Sequence, residues 1–138
     1  MTFTVQLEGL DRALAWLDAA PEKVGKGLEK GLYTHAAKVM AESQRIVPVG
    51  GPPTSPHDPA PGTLKASGTV LPPKHEGSTV VVELGYGGAA SAYAWRQHED
   101  LLYRHKPGQT AKYLERPLLA LQDEMLETVV DAIQSEMR

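Results

Sequence analysis

Six of the eleven prolines fall between Val47 and Gly62, at Pro48, Pro52, Pro53, Pro56, Pro59 and Pro61. Each fixes φ and removes a backbone donor, so residues 48–62 fit neither a helix nor a central strand and read as an exposed, partly extended loop. A loop of such length in a small domain is often functional, and one that orders against a neighbouring subunit makes Gly50, Gly51, Pro52, Pro53, His57 and Asp58 the candidate assembly loop. His57 and Asp58 imitate a metal or catalytic pair, but no further ligand lies near them in the sequence.

Before the loop, Phe3, Val5 and Leu7 alternate with Thr2, Thr4 and Gln6, which predicts a half-buried strand over residues 2–8. The apolar spacing then changes to Leu10, Ala13, Leu14 and Leu17, the stripe of a short N-terminal helix, and Pro21 either stops that helix or opens the next. A long helix follows over 21–46, its stripe made by Val24, Leu28, Leu32, Ala36, Val39, Ser43 and Ile46. Gly25, Gly27 and Gly31 each weaken it by up to about 1 kcal/mol relative to Ala. Gly27, Gly31 and His35 share one face, and two explanations stand: a second backbone comes close there, or a packed helix simply tolerates them.

After the loop, Thr63 to Leu71 and Ser78 to Tyr86 make the most hairpin-like pair, joined through Pro72 to Gly77. Val80, Val82 and Leu84 alternate with Thr79, Val81 and Glu83. A further strand is expected near 92–98, and a last helix over 117–137, launched by Pro117 and striped by Leu118, Leu121, Met125, Val129 and Ala132 or Ile133. The predicted fold is thus α+β in a single domain, 1–138. A mixed or mainly antiparallel sheet of three to four strands (2–8, 64–71, 78–86) packs against the two long helices, with the short N-terminal helix beside them.

A chain of 138 residues is one domain on length, and its formal charge of −3, from 14 basic and 17 acidic residues, lacks the basic excess of a dedicated nucleic-acid binder. It has no cysteine, so neither a disulfide framework nor a thiolate metal site is available. The first residues combine no basic segment with an unbroken apolar run, and no stretch approaches the roughly 20 apolar residues that span a bilayer. The expectation is a protein made without an export signal and with no membrane partner.

The densest run of aromatic, histidine and charged residues is Tyr93 to Leu119. Two readings of it stand: Tyr93, Trp95 and Tyr113 close a small core, or the run is a contact surface made by Tyr93, Trp95, His98, Tyr103, Arg104, His105, Lys112 and Tyr113, since aromatics and Arg dominate interface energy. Charge is polarised as well. The last helix carries Asp123, Glu124, Glu127, Asp131 and Glu136, whereas the Arg96 to Arg116 stretch carries five basic residues, either as solvated faces or as surfaces that meet between identical subunits.

The pattern Tyr93-Ala94, Gln97-His98-Glu99, then Tyr103-Arg104-His105 and Ala111 to Leu118, resembles the small tail-component or minor capsid proteins of long-tailed bacteriophages. Glu8 to Asp11, Val47 to Val49 and Gly62 to Ser67 extend the likeness over nearly the full chain, although the insert Gly50 to Pro61 is longer than that family's usual link. The resemblance implies a virion structural protein of the neck or tail end, a ring of six around the DNA channel that terminates the tail tube or joins it to the head connector. A minor capsid, head-closure or adaptor role in the same virion is the alternative. It further implies partners in copies of itself, the tail tube protein and the head-to-tail connector, with DNA passing without sequence-specific binding, no cofactor, and a place in the virion after assembly in the host cytoplasm.

Against this stands an alternative of another class, a small metal-dependent hydrolase built on His98, Glu99 and His105. The two histidines are seven apart, which fails the four-residue spacing of a helical zinc motif, although seven residues also return to one face after two turns. No nucleophile elbow or phosphate-binding glycine loop is present, so neither a catalytic nor a metal residue is assigned.

Overall fold

The computed structural model describes residues 1–7, 20–77, 79–102 and 104–138. The expected short helix from Leu10 and the contact residue Tyr103 both lie outside them. Among the described residues the fold is α+β, as the patterning predicts.

Four antiparallel strands form the sheet: β1 (Thr2–Leu7), β2 (Thr69–Val70), β3 (Lys74–Glu76) and β4 (Thr79–Gly85). β4 is central. β1 pairs along its whole length, from Thr2 opposite Gly85 to Leu7 opposite Val80, while β2 and β3 divide the other edge between them. Centrality explains why Val80, Val81 and Val82 are all buried, where alternation alone would expose one. The β3–β4 register sets Glu76 opposite Thr79, and Gly77 sits at φ 64, the left-handed backbone that a two-residue hairpin loop requires.

Across the sheet lies α1 (Pro21–Ile46), with Pro21 at its start and a length of about 39 Å. Leu32, Ala36 and Val39 on its inner face are fully buried, each large apolar side chain contributing roughly 1.5–3 kcal/mol. The helix ends at Val47, whose extended ψ of 140° is what a following proline imposes. Against α1 runs the antiparallel α5 (Met125–Met137), joined through the 3₁₀ turn Gln122–Glu124 to α4 (Glu115–Leu121). One core cluster unites Val5, Val39, Met40, Leu84, Tyr86, Tyr113 and Leu114, and a second unites Leu32, Ala36, Val82, Val129 and Ile133.

Three expectations are corrected. Residues 64–71 form not one strand but a helical turn, α2 (Thr63–Ala66), then the two-residue β2, because Gly62 enters at φ 83 and the Ser67 hydroxyl caps Leu64 O. Gly68 then lies where a Cβ would stand 2.7 Å from Met40 Sδ. Residues 92–98 belong to helix α3 (Ser91–Glu99) rather than a strand: Ala90, Ala94 and His98 recur every four residues and are all buried. The last helix starts at Glu115, two residues before Pro117, and is interrupted by the 3₁₀ turn; a proline in the first helical turn removes only a donor that has no partner there.

The glycine face of α1 is resolved in favour of close approach. A Cβ on Gly27 would stand 2.5 Å from Ile133 Cα, and one on Gly31 2.6 Å from Val129 Cα, whereas nothing lies within 4 Å of the Cβ position on Gly25. Gly31→Ala is therefore expected to lower unfolding stability by about 1–3 kcal/mol through overpacking. Gly25→Ala should raise it by about 0.5–1 kcal/mol through helix propensity. Urea unfolding of the two variants checks the pair, and equal shifts would refute the helix contact.

Candidate functional site

The Tyr93 to Leu119 stretch divides in space into an inner and an outer part. Inside are His98 and Tyr113, both fully buried, so neither presents a surface as the contact reading requires. The cause is polar satisfaction. Tyr113 donates its hydroxyl to Ala94 O at 2.6 Å and packs edge-on against Tyr86 and His98, each 5.0 Å away. His98 Nε2 accepts the Glu115 N–H at 3.2 Å, which fixes the proton on Nδ1, and Nδ1 donates to Glu99 at 2.7 Å. Both ring nitrogens are thus committed, and the hydrolase alternative finds no free lone pair on its first histidine.

Glu99 also meets the Lys112 ammonium, which reaches Glu115 at 3.1 Å. Lys112 holds φ 55, a left-handed backbone that costs a side-chain-bearing residue roughly 1–2 kcal/mol, and its N–H donates to His98 O at 2.7 Å. Lys112 is therefore a tie between α3 and the chain entering α4 rather than a free contact residue. Among the described residues, no group of three or more His, Asp or Glu side chains is arranged to hold a metal.

Outside are Trp95, 64% exposed, with Leu101 at 68% and Leu102 at 93%. Arg104 is exposed and Tyr93 half-buried, its hydroxyl bonded to Thr63. Here the structure joins the two candidate regions. A cleft of about 480 Å³ opens between the base of the proline-rich loop and the segment 104–109, walled on one side by Pro48 to Gly51 with Pro59 and Ala60, and on the other by Arg104, His105 and Lys106. Tyr93 and Gln97 reach it from α3. Val49 N–H donates to the Gln109 side chain at 3.1 Å, and Thr110 N–H to Ile46 O at 3.0 Å, which pins the two walls together. The Pro107-Gly108 turn forms as expected, with Gly108 at φ 82.

Of the assembly-loop residues only Gly50 and Gly51 line the cleft. Asp58 is spent within the loop, where one carboxylate oxygen accepts Thr54 N–H, Thr54 hydroxyl and Ser55 N–H at 2.8–2.9 Å; these bonds hold its carboxyl below the usual range. Trp95 is not among the residues that line the cleft, and neither are Pro52, Pro53 and His57. Gln97 and Gln109 are not among the contact residues assigned from the sequence, and Lys106 enters there only as one of the five basic residues of 96–116; Gln97 is legible once 91–99 is read as helix, one turn beyond Tyr93.

Comparison with known protein families, curated proteins and solved structures finds no match to the chain.

Burial lowers the pKa of His98, and also that of His35, another fully buried histidine, on α1. The unfolded chain titrates both near 6.5, so between that value and the lower folded ones it binds more protons than the native state. Stability should be fully present above about pH 7 and fall as pH drops below about 6.5. Urea midpoints measured at pH 8, 7 and 5.5 check this; a midpoint that rose on acidification would contradict it.

Proposed function

We propose that the chain is a structural subunit of a siphophage neck or tail end, assembling as a ring of six that terminates the tail tube or joins it to the head connector. The observation that carries the reading is the exposed set Trp95, Leu101 and Leu102 beside Arg104. Exposed large side chains of this kind within eight residues mark a surface that a partner covers, and aromatic and Arg side chains supply most of the energy of such contacts. They lie on the segment that carries the resemblance to phage tail components, which is what ties the contact to a virion. The buried, doubly bonded His98 supports an assembly role over catalysis, since a general base or ligand needs a free nitrogen.

A phage with an amber codon in the gene for this chain tests the reading. Grown without suppression it should yield DNA-filled heads and separate tails, or overlong tails if the protein is a terminator, and quantitative mass spectrometry of wild-type virions should find about six copies. Infectious particles formed without the protein would overturn it.

A further inference from the structure

The geometry points to the cleft between the proline-rich loop and segment 104–109 as a socket for carboxylates, filled by the acidic edge of α5 from a second copy of this chain. The ring rests on the assembly reading above; the socket and its occupant are the new claim.

The cleft is rich in donors and poor in acceptors. Arg104 and Lys106 line it, no Asp or Glu does, and neither cation has an ion-pair partner among the described residues. The Gln109 oxygen is occupied by Val49 N–H, which leaves its N–H donors for an incoming group. His105 lines the same cleft, and its Nε2 is buried with no hydrogen-bond partner among the described residues. Val49, Leu64, Pro48 and Pro59 add apolar surface beside these donors.

α5 and the turn before it offer the complement. Asp123, Glu127 and Asp131 recur every four residues over about 12 Å, all exposed and without an ion-pair partner among the described residues. Their neighbours Glu124 and Glu136 are by contrast paired with Lys38 and Lys30. Leu126, 55% exposed, and Val130, 36%, flank the row and match the apolar wall. No residue of α5 lines the cleft, so the row of the same chain does not fill it. Socket and edge are different patches, so each copy gives one and takes one, and the contact propagates until a ring closes. Duplex DNA is the weaker occupant: two cations recessed beside prolines do not make the extended basic track that phosphates need, and the chain carries a net charge of −3.

The absence of cysteine makes a direct test available. Lys106→Cys and Asp131→Cys proteins, mixed and oxidised, should form a disulfide heterodimer at about tenfold the yield of Lys106→Cys mixed with Glu22→Cys. Chains carrying both changes should give a ladder beyond dimers, which a two-fold contact cannot. In the cysteine-bearing pair, Arg104→Glu on the first protein should abolish the excess and Glu127→Lys on the second should restore it, with thermal melts confirming that all variants fold. A yield equal to the control, a ladder that stops at dimers, or binding of a short DNA duplex that Arg104→Glu removes would each overturn the socket. The particle assay is independent: virions that need the chain while the cross-link stays at control level would sink this docking and leave the assembly reading standing.

Discussion

The contact on which the rest of the structure depends is backbone against backbone, where α1 meets α5 at Gly27 and Gly31. Side chains there would hold the helix axes apart by the width of a methyl group at two successive turns. Each glycine costs helix propensity, and the loss is offset only because Val129 and Ile133 reach the same core as Leu32 and Ala36. The ion pairs Lys30–Glu136 and Lys38–Glu124 also link α1 to the α5 side of the fold, but as exposed pairs they contribute only about 0–1 kcal/mol each. His35 continues the glycine face by one more turn, and its Nδ1 is buried without a partner. The seam therefore contains a buried ring nitrogen with no hydrogen-bond partner among the described residues.

A second constraint positions the cleft. The chain leaving α3 must double back to start α4, and it does so through Lys112 in a left-handed backbone. Three bonds hold that strained residue, its N–H to His98 O and its ammonium to Glu99 and to Glu115, and a fourth, from Glu115 N–H to the His98 ring, closes the circuit. Tyr113 beside it locks to Ala94 and fills the core. The histidine that sequence reasoning offered as a catalyst thus spends its chemistry on geometry. The Val49–Gln109 bond, the Gln109 N–H to Lys106 O turn bond and the Thr110 N–H to Ile46 O bond hold the far end of segment 104–109, so Lys106 stands on a braced turn.

How much of this was legible follows from where one period was unambiguous. Strands 2–7 and 79–85 and helix 21–46 were readable because alternation or a three-to-four spacing ran for several repeats with nothing competing. Residues 64–71 failed because Leu64, Ala66, Gly68 and Val70 alternate by accident of small residues, while Gly62 decided the local backbone. Residues 92–98 failed because the buried period there is carried by alanine and histidine, which scarcely register as apolar. The glycine face was visible but its meaning was not, since the partner sits about a hundred residues away. The cleft was the least legible feature: its two walls are distant in sequence and are joined through the Gln109 and Thr110 bonds.

The acidic helix shows what the structure adds to a charge count. In sequence, Asp123 to Glu136 is one negative face, and a net imbalance of that kind predicts only solubility or a vague attraction. In space the face splits. Glu124 and Glu136 are consumed by α1, while Asp123, Glu127 and Asp131 turn away from it with Leu126 and Val130 exposed alongside. The positive stretch splits likewise, with Lys112 consumed by its own knot and Arg104 and Lys106 left facing the cleft. Intramolecular pairing has removed the charges that sit at fold junctions and left those whose complements the chain does not supply. A surface filtered in this way is more specific than the raw composition, because Asp123, Glu127 and Asp131 stand at one spacing beside the exposed Leu126 and Val130.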